Sequence, residues 1–177
     1  AEYTPVGEVR ITSPAVFDGV TWSNCGVPFS QSDLGAAFAE EVPGRGVVAL
    51  RGPGSGFDLQ RWTGASWARV HFGWAGWANA LLQMPNGDVI VGGTFQCASR
   101  TPANAIAQRT ATGWVPLGSG LQDPYLATVR ALAQLPNGDV VAGGTFSTAG
   151  GVACANVARW DGVAWHPLGA GLDGAVA

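Results

Sequence analysis

Gln134-Leu-Pro-Asn-Gly-Asp-Val-Val-Ala-Gly-Gly-Thr-Phe146 restates Gln83-Met-Pro-Asn-Gly-Asp-Val-Ile-Val-Gly-Gly-Thr-Phe95 at an offset of 51 residues. The offset runs on without a gap through Trp114 and Trp165, Pro116 and Pro167, Leu117 and Leu168, Gly118 and Gly169, and Leu121 and Leu172. A period of about 50 residues is that of a repeat built from four short strands. The repeat therefore sets the architecture, and residues that recur in it are first of all residues of the fold.

Working outward from the later copy, residues 129–135 alternate for part of their length and predict a first strand. Asn137-Gly138 is the preferred pair of a two-residue hairpin turn, in which both positions take positive φ. Residues 139–142 then predict a second strand, ended by Gly143-Gly144. Residues 156–160 predict a third strand, Asp161-Gly162 a second hairpin turn, and residues 164–168 a fourth strand. Pro167 puts that fourth strand at the edge, because proline removes a ladder donor. The unit reads as a four-stranded antiparallel meander with its last strand outermost.

The same pattern predicts strands at 78–84, 89–91, 105–109 and 114–117. A degraded copy lies upstream. Residues 34–42 and 47–50 flank Pro43-Gly44-Arg45-Gly46, and Arg61-Trp62-Thr63-Gly64-Ala65-Ser66-Trp67 matches 159–165. A half copy opens the chain, where 17–22 also matches 160–165. The fourth-strand tryptophans Trp22, Trp67, Trp114 and Trp165 are thus 45, 47 and 51 residues apart. The chain divides into a half unit at 1–30, a degraded unit at 31–73, units at 74–121 and 122–170, and the start of another at 171–177.

This pattern resembles the kelch-type repeats of β-propellers. The resemblance rests on Gly92-Gly93 and Gly143-Gly144, on an aromatic at the end of strand three (Trp62, Trp160), and on the strand-four Trp67, Trp114 and Trp165. It spans residues 34–172 and is similar above all to the Gly-Gly-Thr-Phe variant of large secreted bacterial proteins and fungal cortical polarity markers. The aromatic and the Trp are closer than in most kelch repeats, and Arg109 replaces the aromatic in one copy. The resemblance implies an all-β fold of about three and a half four-stranded blades. It implies fold more firmly than activity, since propellers carry unrelated functions.

The residues argue the same way unaided. A sheet apolar on both faces cannot bury both alone, and stacking neighbours buries the tryptophans between them, at roughly 1.5–3 kcal/mol for each large apolar side chain fully buried. Adjacent glycines let backbones approach closely. Closure takes about four to eight blades. Three and a half leave Trp-lined faces open, so the ring is expected to be completed by a second copy or by further blades of the same polypeptide.

Composition narrows the function. Of 177 residues, 47% are apolar and 12% charged, which excludes disorder. All nine basic residues are Arg, so no Schiff-base or phosphate-loop lysine exists. The net charge of −3 with scattered Arg carries no footprint for nucleic acid, and no apolar run reaches the roughly 18 residues of a membrane span. Absent Lys, abundant Gly, Trp and Thr, and the start at Ala1 fit a secreted or cell-surface, bacterial-type protein.

Candidate chemistry is thin. Asp88 and Asp139 follow Asn-Gly and read as turn residues. Glu40 and Glu41 are strand neighbours and point to opposite faces. His166 occupies the repeat slot of Val115, while His71 sits in an irregular connector; neither makes a metal site or a triad, and no cofactor or metal is called for. Cys25, Cys97 and Cys154 all fall in loops of one face, where Cys97 and Cys154 could form a disulfide, or Cys25 could pair with Cys97 or stay free.

The residues that break the repeat are the better candidates. His71, Trp74 and Trp77 lie in one strand four-to-one connector and Tyr125 in the next, as aromatics able to stack on sugars, anchor a partner or plug the gap between blades. The expected function is non-catalytic binding of protein or carbohydrate, together with assembly. The alternatives are a self-assembling structural half-propeller forming a homo-oligomer, and a fragment of a propeller enzyme whose catalytic residues lie elsewhere.

Overall fold

The computed structural model describes residues 15–17, 22–24, 39–42, 46–51, 58–62, 67–71, 74–98, 101–174 and 176. They form antiparallel sheets, with no helix among the described residues. Strands β1 (Ala15–Phe17) and β2 (Trp22–Asn24) pair as a hairpin. A first four-stranded sheet follows chain order: β3 (Ala39–Val42), β4 (Gly46–Arg51), β5 (Asp58–Trp62) and β6 (Trp67–His71). The second sheet is made by β7 (Trp74–Gln83), β8 (Val89–Ala98), β10 (Ile106–Arg109) and β11 (Trp114–Pro116), with β9 (Thr101–Pro102) on the far end of β8. After β12 (Leu121–Gln122), the third sheet runs β13 (Thr128–Gln134), β14 (Val140–Thr145), β17 (Val157–Trp160) and β18 (Trp165–Pro167). Strands β15 (Thr148–Ala149) and β16 (Val152–Ala153) form a small hairpin that β12 extends to three strands. Among the described residues no sheet closes on itself.

The hairpin loops differ from the two-residue turn expected at Asn-Gly. Leu135 N–H donates to Asp139 O at 2.8 Å and Gly138 N–H to Leu135 O at 2.9 Å, which makes Pro136-Asn137-Gly138 a three-residue loop. Gly87 and Gly138 take positive φ (91° and 93°), whereas Asn86 and Asn137 do not. Proline explains the change: its fixed φ suits the first corner of a type I turn, leaving only the glycine left-handed. In both loops the Asn side chain then holds the following Asp, with Asn86 Nδ2 and Asn137 Nδ2 each 2.8 Å from the carboxylate.

Strand two also runs further than expected. The glycine pairs do not end β8 and β14, because both continue through Gly92-Gly93 and Gly143-Gly144. The ladder survives there because the glycines yield space rather than break the strand. A Cβ on Gly93 would stand 2.0 Å from the Trp77 carbonyl oxygen, and one on Gly144 would stand 1.9 Å from that of Thr128. The preceding glycines face outward from their own sheet: Gly92 lies under Val129 and Gly143 under Val176.

The sheets bury their faces on one another. Val89, Val91, Phe95 and Ala107 of the second sheet share a core with Leu59 of the first. The alternate residues, Ala80, Leu82, Ile90 and Ile106, face the third sheet and pack with Val129, Val140, Ala142, Phe146, Ala158 and Trp165. Period-2 alternation thus sends β8 and β10 of the second sheet into two cores. Trp165 is 4% exposed, its Nε1–H donates to Leu117 O at 2.8 Å, and its ring meets that of Trp160 with centroids 5.4 Å apart.

Candidate binding site

A cleft of about 280 Å³ opens where loops of the second and third sheets meet. Its walls are the outer end of β8 (Phe95, Gln96), the approach to β10 (Asn104, Ala105), and the passage from β12 toward β13 (Leu121, Gln122, Asp123, Tyr125, Leu126, Ala127). The floor is fixed by backbone bonds. Leu121 N–H donates to Asn104 O at 2.9 Å, Ser147 N–H to Gln122 O at 2.9 Å, and Ala105 N–H to Phe95 O at 2.8 Å. Asn104 Nδ2 holds Ser119 O at 2.9 Å, and Asp123 Oδ1 accepts the Tyr125 N–H at 3.1 Å. Phe95, Ala105 and Leu121 are buried, while Gln96, Gln122 and Leu126 are exposed, and Tyr125 is 96% exposed at the mouth.

Among the described residues Asp123 supplies the lining's one charge. Three amides (Gln96, Asn104 and Gln122), the Asp123 carboxylate and the Tyr125 ring can hydrogen-bond and stack, but these described residues hold no nucleophile beside a base and no pair of carboxylates. Among the described residues no group of three or more His, Cys, Asp or Glu could hold a metal ion.

Only one of the aromatics expected to act together reaches this cleft, namely Tyr125. Trp74 and Trp77 do not lie in a connector but on β7, where Trp77 pairs with Thr94 and is 52% exposed. The reason is the long ladder: because β8 runs past the glycines to Ala98, β7 starts as early as Trp74 to match it. His71 likewise ends β6 opposite Leu59 instead of sitting in a connector. The side chains of His71 and Trp74, and Cys25 altogether, lie outside the described residues.

Cys97 and Cys154 are not joined; both are free thiols. Cys154 is buried in the core between the second and third sheets, and that burial raises its thiol pKa, whereas Cys97 belongs to the β8–β9 hairpin. Asp139 meets Arg159 as well as Asn137, and Asp88 meets Gln108 Nε2 at 2.8 Å, so each Asp ties its turn to the third strand of its sheet. His166 Nε2 lies 2.6 Å from Asp161 Oδ2 on the surface.

Gln96, Gln122 and Asp123 were not singled out by sequence reasoning, although a signal existed. At the 51-residue offset they correspond to Ser147, Asp173 and Gly174, so each breaks the repeat. Their neighbours in the cleft keep it: Phe95 matches Phe146, and Leu121 matches Leu172. Comparisons with family models, with curated proteins and with solved structures each give no match.

Proposed function

We propose that the chain is a segment of a kelch-like β-propeller, a non-catalytic secreted or cell-surface module that works by binding and assembly. One observation carries the reading. The face of the second sheet formed by Ala80, Leu82, Ile90 and Ile106 is buried beneath the third sheet. Its counterparts 51 residues on, Ala131, Ala133, Val141 and Val157, form the outer face of the third sheet and are exposed or half-buried. A sheet apolar on both faces calls for a neighbour on each.

The position of Val176 supports this reading. Val176 stands 3.1 Å from where a Gly143 Cβ would be, as Val129 stands over Gly92, and its N–H donates to Gly144 O at 3.1 Å. On this reading another four-stranded unit covers the outer face, supplied by a second copy or by further blades of the polypeptide. The lack of Lys and the likeness to secreted Gly-Gly-Thr-Phe repeats support the location. The cleft, whose described residues offer groups for recognition, supports the binding role.

Light scattering across a concentration series tests the assembly. The chain is expected to self-associate, and Val141→Arg on the outer face to reduce it. A monomer throughout the micromolar range, indifferent to Val141→Arg, would overturn the reading.

A further inference from the structure

Resting on that binding role, we infer that the Tyr125 cleft is a site for one neutral sugar residue. Polar positions that break the 51-residue repeat converge there: Gln96, Gln122 and Asp123 come from two stretches of chain and line one cavity with Tyr125, which stands at the offset of Trp74. Residues kept only for the fold would recur, as Phe95 and Leu121 do. Their replacements at the offset, Ser147, Asp173, Gly174 and Val176, offer no aromatic and no amide.

The chemistry selects the ligand class. An exposed aromatic ring offers an apolar, π-rich surface with a polar tip, suited to the C–H face of a pyranose. Primary amides donate and accept at once, matching vicinal hydroxyls that do the same. Asp123 accepts only, and with one oxygen engaged by the Tyr125 N–H it keeps the other for a sugar hydroxyl. Among the described residues no Arg lines the cleft, so an anionic ligand meets a carboxylate there and no counter-charge. The volume of about 280 Å³ falls just under the roughly 300–1,000 Å³ of sites for drug-sized ligands, which fits a single ring. The hydrogen bonds that fix Gln122, Asp123 and Asn104 hold the site in shape before any ligand arrives.

Saturation-transfer NMR on the full chain tests this, with the methyl glycosides of glucose, galactose, mannose and N-acetylglucosamine as probes. Transfer to the ring C–H protons of at least one glycoside is expected. Its affinity should fall about tenfold in Tyr125→Ala and hold in Tyr125→Phe. Gln122→Ala should weaken it as well. Tyr125 and Gln122 are exposed, so none of these variants threatens the fold. No transfer from any glycoside, or transfer indifferent to Tyr125→Ala, would overturn the proposal, as would unstructured peptides shifting the Tyr125 ring signals where sugars do not. Light scattering on the same samples separates the two readings: self-association without sugar binding removes the cleft site and leaves the assembly standing.

Discussion

Val129 occupies the space that Gly92 leaves empty: a methyl group on the glycine would stand 2.4 Å from Val129 Cγ1 and 2.8 Å from its Cβ. The contact joins the second strand of one sheet to the first strand of the next. Both atoms belong to a fully buried, β-branched side chain, which has little freedom to turn aside. Gly92→Ala should therefore destabilise the chain by about 1–3 kcal/mol through overpacking. Urea unfolding checks the value, and Gly92→Ala combined with Val129→Ala should recover part of the loss. Equal effects in the single and double variants would mean that the glycine serves its own strand and not the junction.

The second glycine of each pair makes a harder demand. What a Gly144 Cβ would meet is the Thr128 carbonyl oxygen, 1.9 Å away on the adjacent strand, and backbone cannot rotate out of the way. Gly144→Ala should thus cost more than Gly92→Ala, toward or beyond the upper end of about 1–3 kcal/mol. At Gly143 the nearest atom is Val176 Cγ2 at 3.1 Å, and Gly143→Ala should be the mildest of the three. Thermal unfolding of the three variants gives the ranking, and a Gly143→Ala as damaging as Gly144→Ala contradicts it.

Much of this order was legible because it is local. The strand sequence of each sheet follows from alternation and turn residues, and β18 is the edge strand that Pro167 demands. What escaped depends on contacts across the fold. Gly92-Gly93 reads as a strand terminator, yet it is kept within the ladder by what packs over it, and this is why Trp77 lies on a strand. Strands of two residues such as β12, β15 and β16 carry no period at all; they exist because Leu121 and Gln122 meet Ala149 and Thr148. The cleft was half legible: Tyr125 was marked by breaking the repeat, while Gln96 and Gln122 look like ordinary polar loop residues until the sheets bring them together.

Trp165 links sheets by a hydrogen bond as well as by area. Its Nε1–H reaches Leu117 O at 2.8 Å across 48 positions of sequence, in a buried setting. Trp165→Phe keeps an aromatic ring but removes that donor, leaving Leu117 O with the Gly120 N–H at 3.1 Å, and shrinks the ring. The expected loss is about 0.5–1.5 kcal/mol for the hydrogen bond, with a further cavity contribution. Chemical denaturation measures it. A loss no larger than a few tenths would show that water replaces the indole.

Arg159 and Gln108 occupy the same repeat position and do the same work for Asp139 and Asp88. Arg159→Gln should for that reason cost under about 1 kcal/mol, because an amide already serves in the neighbouring sheet. Arg159→Leu should cost more, by about 1–2 kcal/mol, since Asp139 is buried and would lose its charged partner while keeping Asn137. Comparing the two variants by urea midpoint decides whether charge or hydrogen bonding matters at this turn.

Asp161 makes the last turn sensitive to acid. Its Oδ1 accepts the N–H groups of Val163 and Ala164, each at 2.8 Å, and Oδ2 meets His166. The Ala164 bond foremost, then the Val163 bond and His166, hold its carboxyl well below the usual carboxylate range. A pKa lower in the folded than in the unfolded chain means that the unfolded chain takes up the proton first. The turn's contribution is therefore complete above the unfolded value of about 4 and is lost as pH falls from there toward the lower folded value. Asp161→Asn keeps an oxygen acceptor for the two N–H groups but does not titrate. The stability difference between the parent chain and Asp161→Asn should shrink as pH falls below about 4, read as the gap between their urea midpoints. A gap that stays fixed throughout the acid range would mean that the Asp161 carboxylate contributes nothing through its charge.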